Sequence, residues 1–261
     1  MTAFLIVLTI SPAIVAGHLG PTIVCYTATQ PVTIDGKWTS KSEWNDTGET
    51  QLLVADGNGV GYFRVKQDRT WLYVLAESLI DTSAENNAGK ADYAQVLLDT
   101  LHDGGNAPMV DDYFFAPWYE NTSYTGMHTE KGTGTGWQSA DPVEGMQAKI
   151  GLDTGNSPHQ PHPHVTVEFR IPLSIIRIGT FGFFIRMGDS SNVLTMHFYW
   201  PGPTMADQSI DPSSWGNVSI SLGTIPEFSN TLLVVALVIL SALAVFRFGK
   251  RRSRLFREQG S

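Results

Sequence analysis

Between residues 30 and 222 apolar and polar positions alternate in short runs, with turn residues between them. Leu52–Val54, Gly61–Val65, Thr70–Ala76, Tyr93–Leu98, Asp112–Ala116, Met146–Leu152, Val165–Ile171, Phe181–Met187 and Val218–Leu222 are rich in β-branched and aromatic residues. Such runs, bounded by Gly, Asn, Asp and Pro, predict strands. Lys66-Gln-Asp-Arg69 reads as a hairpin turn between two of them. No stretch before Phe228 carries a 3.6-residue apolar period. Many short strands at close spacing predict an all-β sandwich or barrel. Gly132-Thr-Gly-Thr-Gly136 reads as a loop, because the Lys-Ser/Thr and helix of a phosphate cradle do not follow it.

The two ends follow another pattern. Residues 1–16, MTAFLIVLTISPAIVA, are an apolar run closing on small residues, which predicts an export signal cleaved near Ala16–Gly17. Residues 17–30 are read as a linker and 31–223 as the folded domain. Phe228 to Phe246 is a run of 19 uncharged residues, followed at once by Arg247, Lys250, Arg251, Arg252, Arg254 and Arg257. That length spans a bilayer core, and basic residues stay on the cytoplasmic side. The expected order is a linker at 224–230, a membrane helix at 231–248 and a cytoplasmic tail at 249–261. Pro226-Glu-Phe228, the apolar helix and the Arg-rich end together resemble the PEF-CTERM sorting signals of archaea. That resemblance implies recognition by an archaeosortase, cleavage near the tripeptide and transfer to another surface anchor.

Charge narrows the partners. The formal net charge is −8, and the stretch before the basic tail carries 24 acidic against 11 basic residues. So acidic a domain repels phosphate backbones, which argues against nucleic acid. Cys25 is the one cysteine, so no disulfide forms within the chain and no CxxC metal pair exists. Asn45-Asp-Thr47, Asn121-Thr-Ser123 and Asn217-Val-Ser219 are sequons for N-linked glycans.

Four segments, in order, resemble family 9 carbohydrate-binding modules and their DOMON-like relatives. They are Val32-Thr-Ile-Asp-Gly-Lys-Trp38 with Glu43-Trp44; Val96-Leu-Leu-Asp99, Asp103-Gly-Gly-Asn106 and Asp111-Asp-Tyr-Phe-Phe115; Val167-Glu-Phe-Arg-Ile-Pro-Leu173; and Phe183-Phe-Ile-Arg-Met-Gly-Asp189 with Tyr199-Trp-Pro201, Pro212 and Trp215-Gly216. The resemblance implies an immunoglobulin-like antiparallel β-sandwich. It also implies three roles: sugar binding, structural calcium binding, or haem binding as in the relatives of the ethylbenzene dehydrogenase gamma subunit.

The candidate sites follow. Asp99, Asp103, Asn106, Asp111 and Asp112 offer hard oxygen ligands around the flexible Gly104-Gly105, which suits calcium. The alternative is an acidic loop whose side chains cap turns. Tyr113, Trp118, Tyr119, Trp137, Trp200 and Trp215 are the pool for a sugar-stacking platform, with Trp118 and Trp137 foremost. Trp38, Trp44 and Trp71 read as core. His159, His162 and His164 could bind Cu(II), Zn(II) or Ni(II), although the intervening prolines should extend the chain and spread the rings. A haem would draw on Met187, Met196, His197 or Met205. No HExxH, GxSxG or Walker motif is present, and Glu168 with Asp189 reads as a strand glutamate and a turn residue. The expectation is a non-enzymatic module displayed at the cell surface and binding carbohydrate. A haem-binding electron-transfer protein and a structural or adhesion protein of the envelope are the alternatives.

Overall fold

The computed structural model describes residues 18, 20–53, 59–83, 86–87, 90–117, 127–176, 179–189, 196–202 and 211–223. All belong to one compact unit ending at Thr224. The export signal, Pro226-Glu-Phe228, the membrane helix and the basic tail lie outside the described residues, as do Trp118, Tyr119, Asn121 and Met205. Among the described residues no helix is long and apolar enough to cross a membrane.

The expected all-β architecture forms. The strands are β1 (Thr22–Thr27), β2 (Glu49–Leu53), β3 (Gly59–Gln67), β4 (Trp71–Ser78), β5 (Asn86–Asn87), β6 (Lys90–Ala91), β7 (Tyr93–Asp99), β8 (Asp112–Pro117), β9 (Met127–Gly132), β10 (Trp137–Ser139), β11 (Gln147–Asp153), β12 (His164–Pro172), β13 (Thr180–Asp189), β14 (Met196–Trp200) and β15 (Gly216–Ile220). A front layer runs β10-β9-β8-β7-β13 and a back layer runs β11-β12-β4-β3. The free edge of β13 is shared by β15 and β14, and that of β3 by β2 and β1. Parallel pairing of β1 with β15, and a Tyr199–Leu53 bridge between β14 and β2, join the layers at two corners. Each of the nine predicted runs falls on a strand. The polar strand β9 and the short edge strand β10 beside it lack a run of buried apolar residues and so escape a hydrophobic reading.

Alternate residues of facing strands build one core. Phe181, Phe183, Ile185 and Met187 of β13 join Val96 and Leu98 of β7 against Phe63, Val65, Val74, Ala76, Val167 and Phe169 of the back layer. Residues 17–30, read as a linker, are corrected here. Thr22–Thr27 is a strand whose Cys25 is fully buried in that core, while Val24 faces outward at 43% exposure. Burial raises the Cys25 thiol well above its ordinary range. The strand was missed because a six-residue stretch with one core position has little periodicity; its pairing with β15 spans almost the whole chain.

The outer face of the back layer is covered by residues 32–46. Trp38 and Trp44 lie fully buried there against Tyr73 and Leu75, with Val32 and Ile34 beside them. Glu168 of β12 fastens this cover. Its carboxylate accepts the amides of Asp35 and Gly36, both at 2.9 Å, and the Trp44 indole N–H at 3.0 Å. Gly36 has φ +80°, and a Cβ there would stand 2.7 Å from the Gly151 nitrogen. The Asp-Gly of the opening motif is therefore a turn that lets two backbones touch. Buried Lys66 donates to the Glu43 carbonyl and to Asp46 Oδ1, and its ammonium lies 5.0 Å from the Trp44 ring.

Candidate functional site

The front layer's outer face is where side chains opposite to the core gather. In a strand, neighbours point to opposite faces, so Leu97, Gln95 and Tyr93 of β7 share this face with Phe114 of β8, Phe184 and Arg186 of β13, and Tyr199 and His197 of β14. The register makes rows of them. Leu97 stands opposite Phe114 on one side and Phe184 on the other. Gln95 stands opposite Arg186, which stands opposite Tyr199. Tyr93 stands opposite Gly188, which stands opposite His197.

The face has an apolar half and a polar half. Leu97, Phe184, Tyr199 and Trp215 form a buried cluster with Phe114 and Trp137 packed against it. Trp137 lies 5.7 Å from Phe114 and is parallel to Trp215, stacked at 6.3 Å. On the polar half, the Tyr93 hydroxyl meets His197 Nδ1 at 2.5 Å, and the Arg186 guanidinium lies 5.5 Å from the Tyr93 ring. A Cβ on Gly188 would fall 2.3 Å from that ring, so glycine makes the space for the phenol. Burial, and then the Arg186 charge, lower the proton affinity of His197. Gln95 Oε1 and Arg186 Nε are buried and lack a hydrogen-bond partner among the described residues. Unpaired buried polar atoms are costly, and these two point to a ligand or water that completes them.

Of the predicted platform, Trp137 sits on this face, half-buried. Tyr113 does not. It points to the other side of β8 from Phe114, packs on Phe115 at 5.6 Å and carries the Lys131 ammonium over its ring. Tyr113 and Trp137 therefore cannot form one platform. Trp200 is a core residue and Trp215 is buried beneath Trp137. Trp71, expected in the core, is half-buried and borders a cleft of about 750 Å³ with Val143, Glu144 and Gly145, under the Arg170 guanidinium. Sequence reasoning passed over Gln95, Arg186 and Tyr93, and named His197 only as a candidate haem ligand. A Tyr or Gln at alternate positions of a strand signals only an outward face until the register brings three strands into line.

The acidic loop is partly assembled. Asp99, Asp103 and Asp111 bring carboxylate oxygens within 4.8 Å of one another. Asp99 already accepts the amides of His102 and Gly104, and its Oδ2 lies 2.7 Å from His18 Nε2. That imidazole and those amides outweigh burial and hold its carboxyl below the usual range. Burial, then the Asp99 and Asp111 charges, raise Asp103. Asp112 is buried beside the group: one oxygen accepts the Met109 amide and the other lacks a partner among the described residues. Asn106 is exposed. Three converging carboxylates that repel one another are a donor set that fits a hard divalent cation.

Met187 lies in the core, whereas His197 is on the outer face of the same layer, so the two cannot be axial ligands of one haem. Asn217 is 5% exposed, donates from Nδ2 to the Gly20 carbonyl and meets His102 Nε2 at 2.6 Å. The folded domain holds that amide inside, away from glycosylation. Asn45 is exposed.

Compared with solved structures, the chain is similar to a family 9 carbohydrate-binding module from Caldicellulosiruptor kristjanssonii in complex with cellotriose. The TM-score is 0.57 at 18% identity, covering 80% of this chain and 97% of that one. A family 9 module from the same organism in complex with glucose gives a TM-score of 0.56 at 19% identity, covering 79% and 100%. At such identities the likeness shows a shared fold. No family profile and no curated protein matches the chain.

Proposed function

We propose that this chain is a non-catalytic carbohydrate-binding domain held at the outer side of a membrane. The carrying observation is the front layer's outer face, which carries half-buried Trp137 on its apolar half and, on its polar half, buried atoms of Gln95 and Arg186 that lack partners among the described residues. A pyranose ring has an apolar face that stacks on indole, and its hydroxyls both donate and accept. Gln95 Oε1 would accept from one hydroxyl, and the Arg186 guanidinium would donate to another. Trp118 and Tyr119, the two residues that follow β8 in the chain, are proposed to complete the platform. The similar modules were solved with cellotriose and glucose, so β-linked glucans are the first ligands to test.

A non-catalytic role accords with where the strand glutamate goes. Glu168, the carboxylate that a hydrolase reading would want, is sealed behind Trp44 and committed to three N–H donors. We further propose that Asp99, Asp103 and Asp111 hold calcium, which would stiffen the segment between β7 and β8. Residues 1–16 would direct export, and 231–248 would anchor the domain with the tail in the cytoplasm, unless an archaeosortase cuts near Pro226-Glu-Phe228. Asn45 is the exposed acceptor for a surface glycan.

The test is calorimetric titration of cello-oligosaccharides, preceded by a glycan array, with Trp137→Ala and Arg186→Ala. Loss of stacking at Trp137 should cost about 2 kcal/mol, roughly 30-fold in affinity, with Tm near wild type. Failure of the parent to bind any glycan, or equal binding by both variants, would sink this reading.

A further inference from the structure

A second cluster lies at the opposite layer, where β11 ends at Asp153 and β12 begins at His164. Asp153, His162 and His164 each bring one ligand atom within 4.8 Å of the others. The loop between the strands is wound tightly around them. Asp153 Oδ1 accepts the amides of Gly155, Asn156 and Ser157, and the Ser157 hydroxyl donates to Glu77 Oε1. The prolines were expected to spread the imidazoles, yet the His162 and His164 rings stack at 5.2 Å. His159 goes elsewhere, onto the Tyr62 ring at 4.1 Å and against Glu49 at 2.7 Å.

The protonation pattern is unusual for a mere packing cluster. His164 Nδ1 lies 2.8 Å from the Pro161 carbonyl, which can only accept, so Nδ1 carries the hydrogen. That leaves Nε2 with a lone pair in the neutral ring, 3.0 Å from the Glu77 carboxylate. A lone pair facing a carboxylate needs a cation between them: a proton or a metal ion. His162 Nδ1 is buried, 3.2 Å from Asp153 Oδ1, and without a hydrogen-bond partner among the described residues. Asp153 and Glu77 are both almost fully buried, and Glu77 Oε2 has no partner among the described residues. Two buried carboxylates and two imidazoles amount to a site short of positive charge.

We propose that Asp153, His162 and His164 bind a divalent transition-metal ion of the zinc class. Imidazole nitrogen with carboxylate oxygen is the donor set of zinc, nickel and copper, whereas calcium takes oxygens. The Pro161 carbonyl is the outer partner that fixes the His164 tautomer, as metal-bound histidines require. Glu77 supplies the second negative charge beside the ion. The His162 side of the site opens on a cleft of about 340 Å³ lined also by Asn156, Ser157 and Gln160, which leaves room for water as a further ligand.

The test uses the full chain stripped with EDTA and titrated with Zn2+, and with Co2+ as a spectroscopic substitute. One equivalent should bind and Tm should rise. Co2+ should give visible d–d bands. His162→Gln, at a partly exposed position, should keep its metal-free Tm and lose roughly tenfold or more in affinity. His159→Gln should bind as the parent does. A Tm that zinc leaves unchanged, or equal zinc binding by the parent and His162→Gln, would overturn the proposal.

Discussion

Glu168 accepts three hydrogen bonds, from two amides and one indole, in a place that water does not reach. Burial, then the nearby Glu43 charge, push its carboxyl up to about 8, against the pull of those donors. The folded state therefore holds this proton more tightly than the unfolded chain, whose glutamate titrates at 4.5. Stability from this group is fully present below pH 4.5 and is lost as pH rises through about 8. The urea midpoint of Glu168→Gln should fall less between pH 5 and 8, as roughly measured against that window, than the parent's does. An equal slope in both proteins would show that the carboxyl is ionised throughout. Glu168→Ala strands all three donors and should cost about 3 kcal/mol or more.

Among the elements, the segment between β7 and β8 carries the clearest expectation. It presents Asp103 and Asp111 beside Asp99, whose carboxylate lies against the His18 imidazole. Calcium should raise Tm by several degrees, about 2–4 °C per kcal/mol for a domain of this size. Scanning calorimetry in EGTA and after calcium addition reads the effect, and Asp103→Asn should abolish it. A Tm indifferent to calcium would leave an acidic turn closed by its own amides. The same loop illustrates how far a motif reaches. Five oxygen-bearing residues stood together in the chain, but Asn106 faces solvent and Asp112 turns to the Met109 amide.

At the scale of the molecule, an acidic domain precedes an apolar run and a basic tail. The full chain should stay with membranes after an alkaline wash, and residues 17–223 alone should be soluble. Release of uncut full-length chain would remove the anchor from the proposal. A membrane-free product of lower mass ending near Pro226-Glu-Phe228 would indicate sorting.

What the linear order determined is what depends on local pattern. Period-two alternation in runs such as Phe181–Met187 requires one face in a core, so the all-β class and nine strands were readable. So was the cover motif, since Asp35-Gly36 with Trp38 and Trp44 marks a turn and two buried indoles. What only the tertiary structure decided depends on register between distant strands. β1 became part of the domain because β15 lies beside it, 195 residues away at Thr22 and Asn217. Gln95, Arg186 and Tyr199 became a row because three strands hydrogen-bond in that order. His162 and His164 met Asp153 because the hairpin between β11 and β12 closes on itself. Side-chain chemistry is written residue by residue, but a site is a set of distances, and those are fixed only when the backbone pairs.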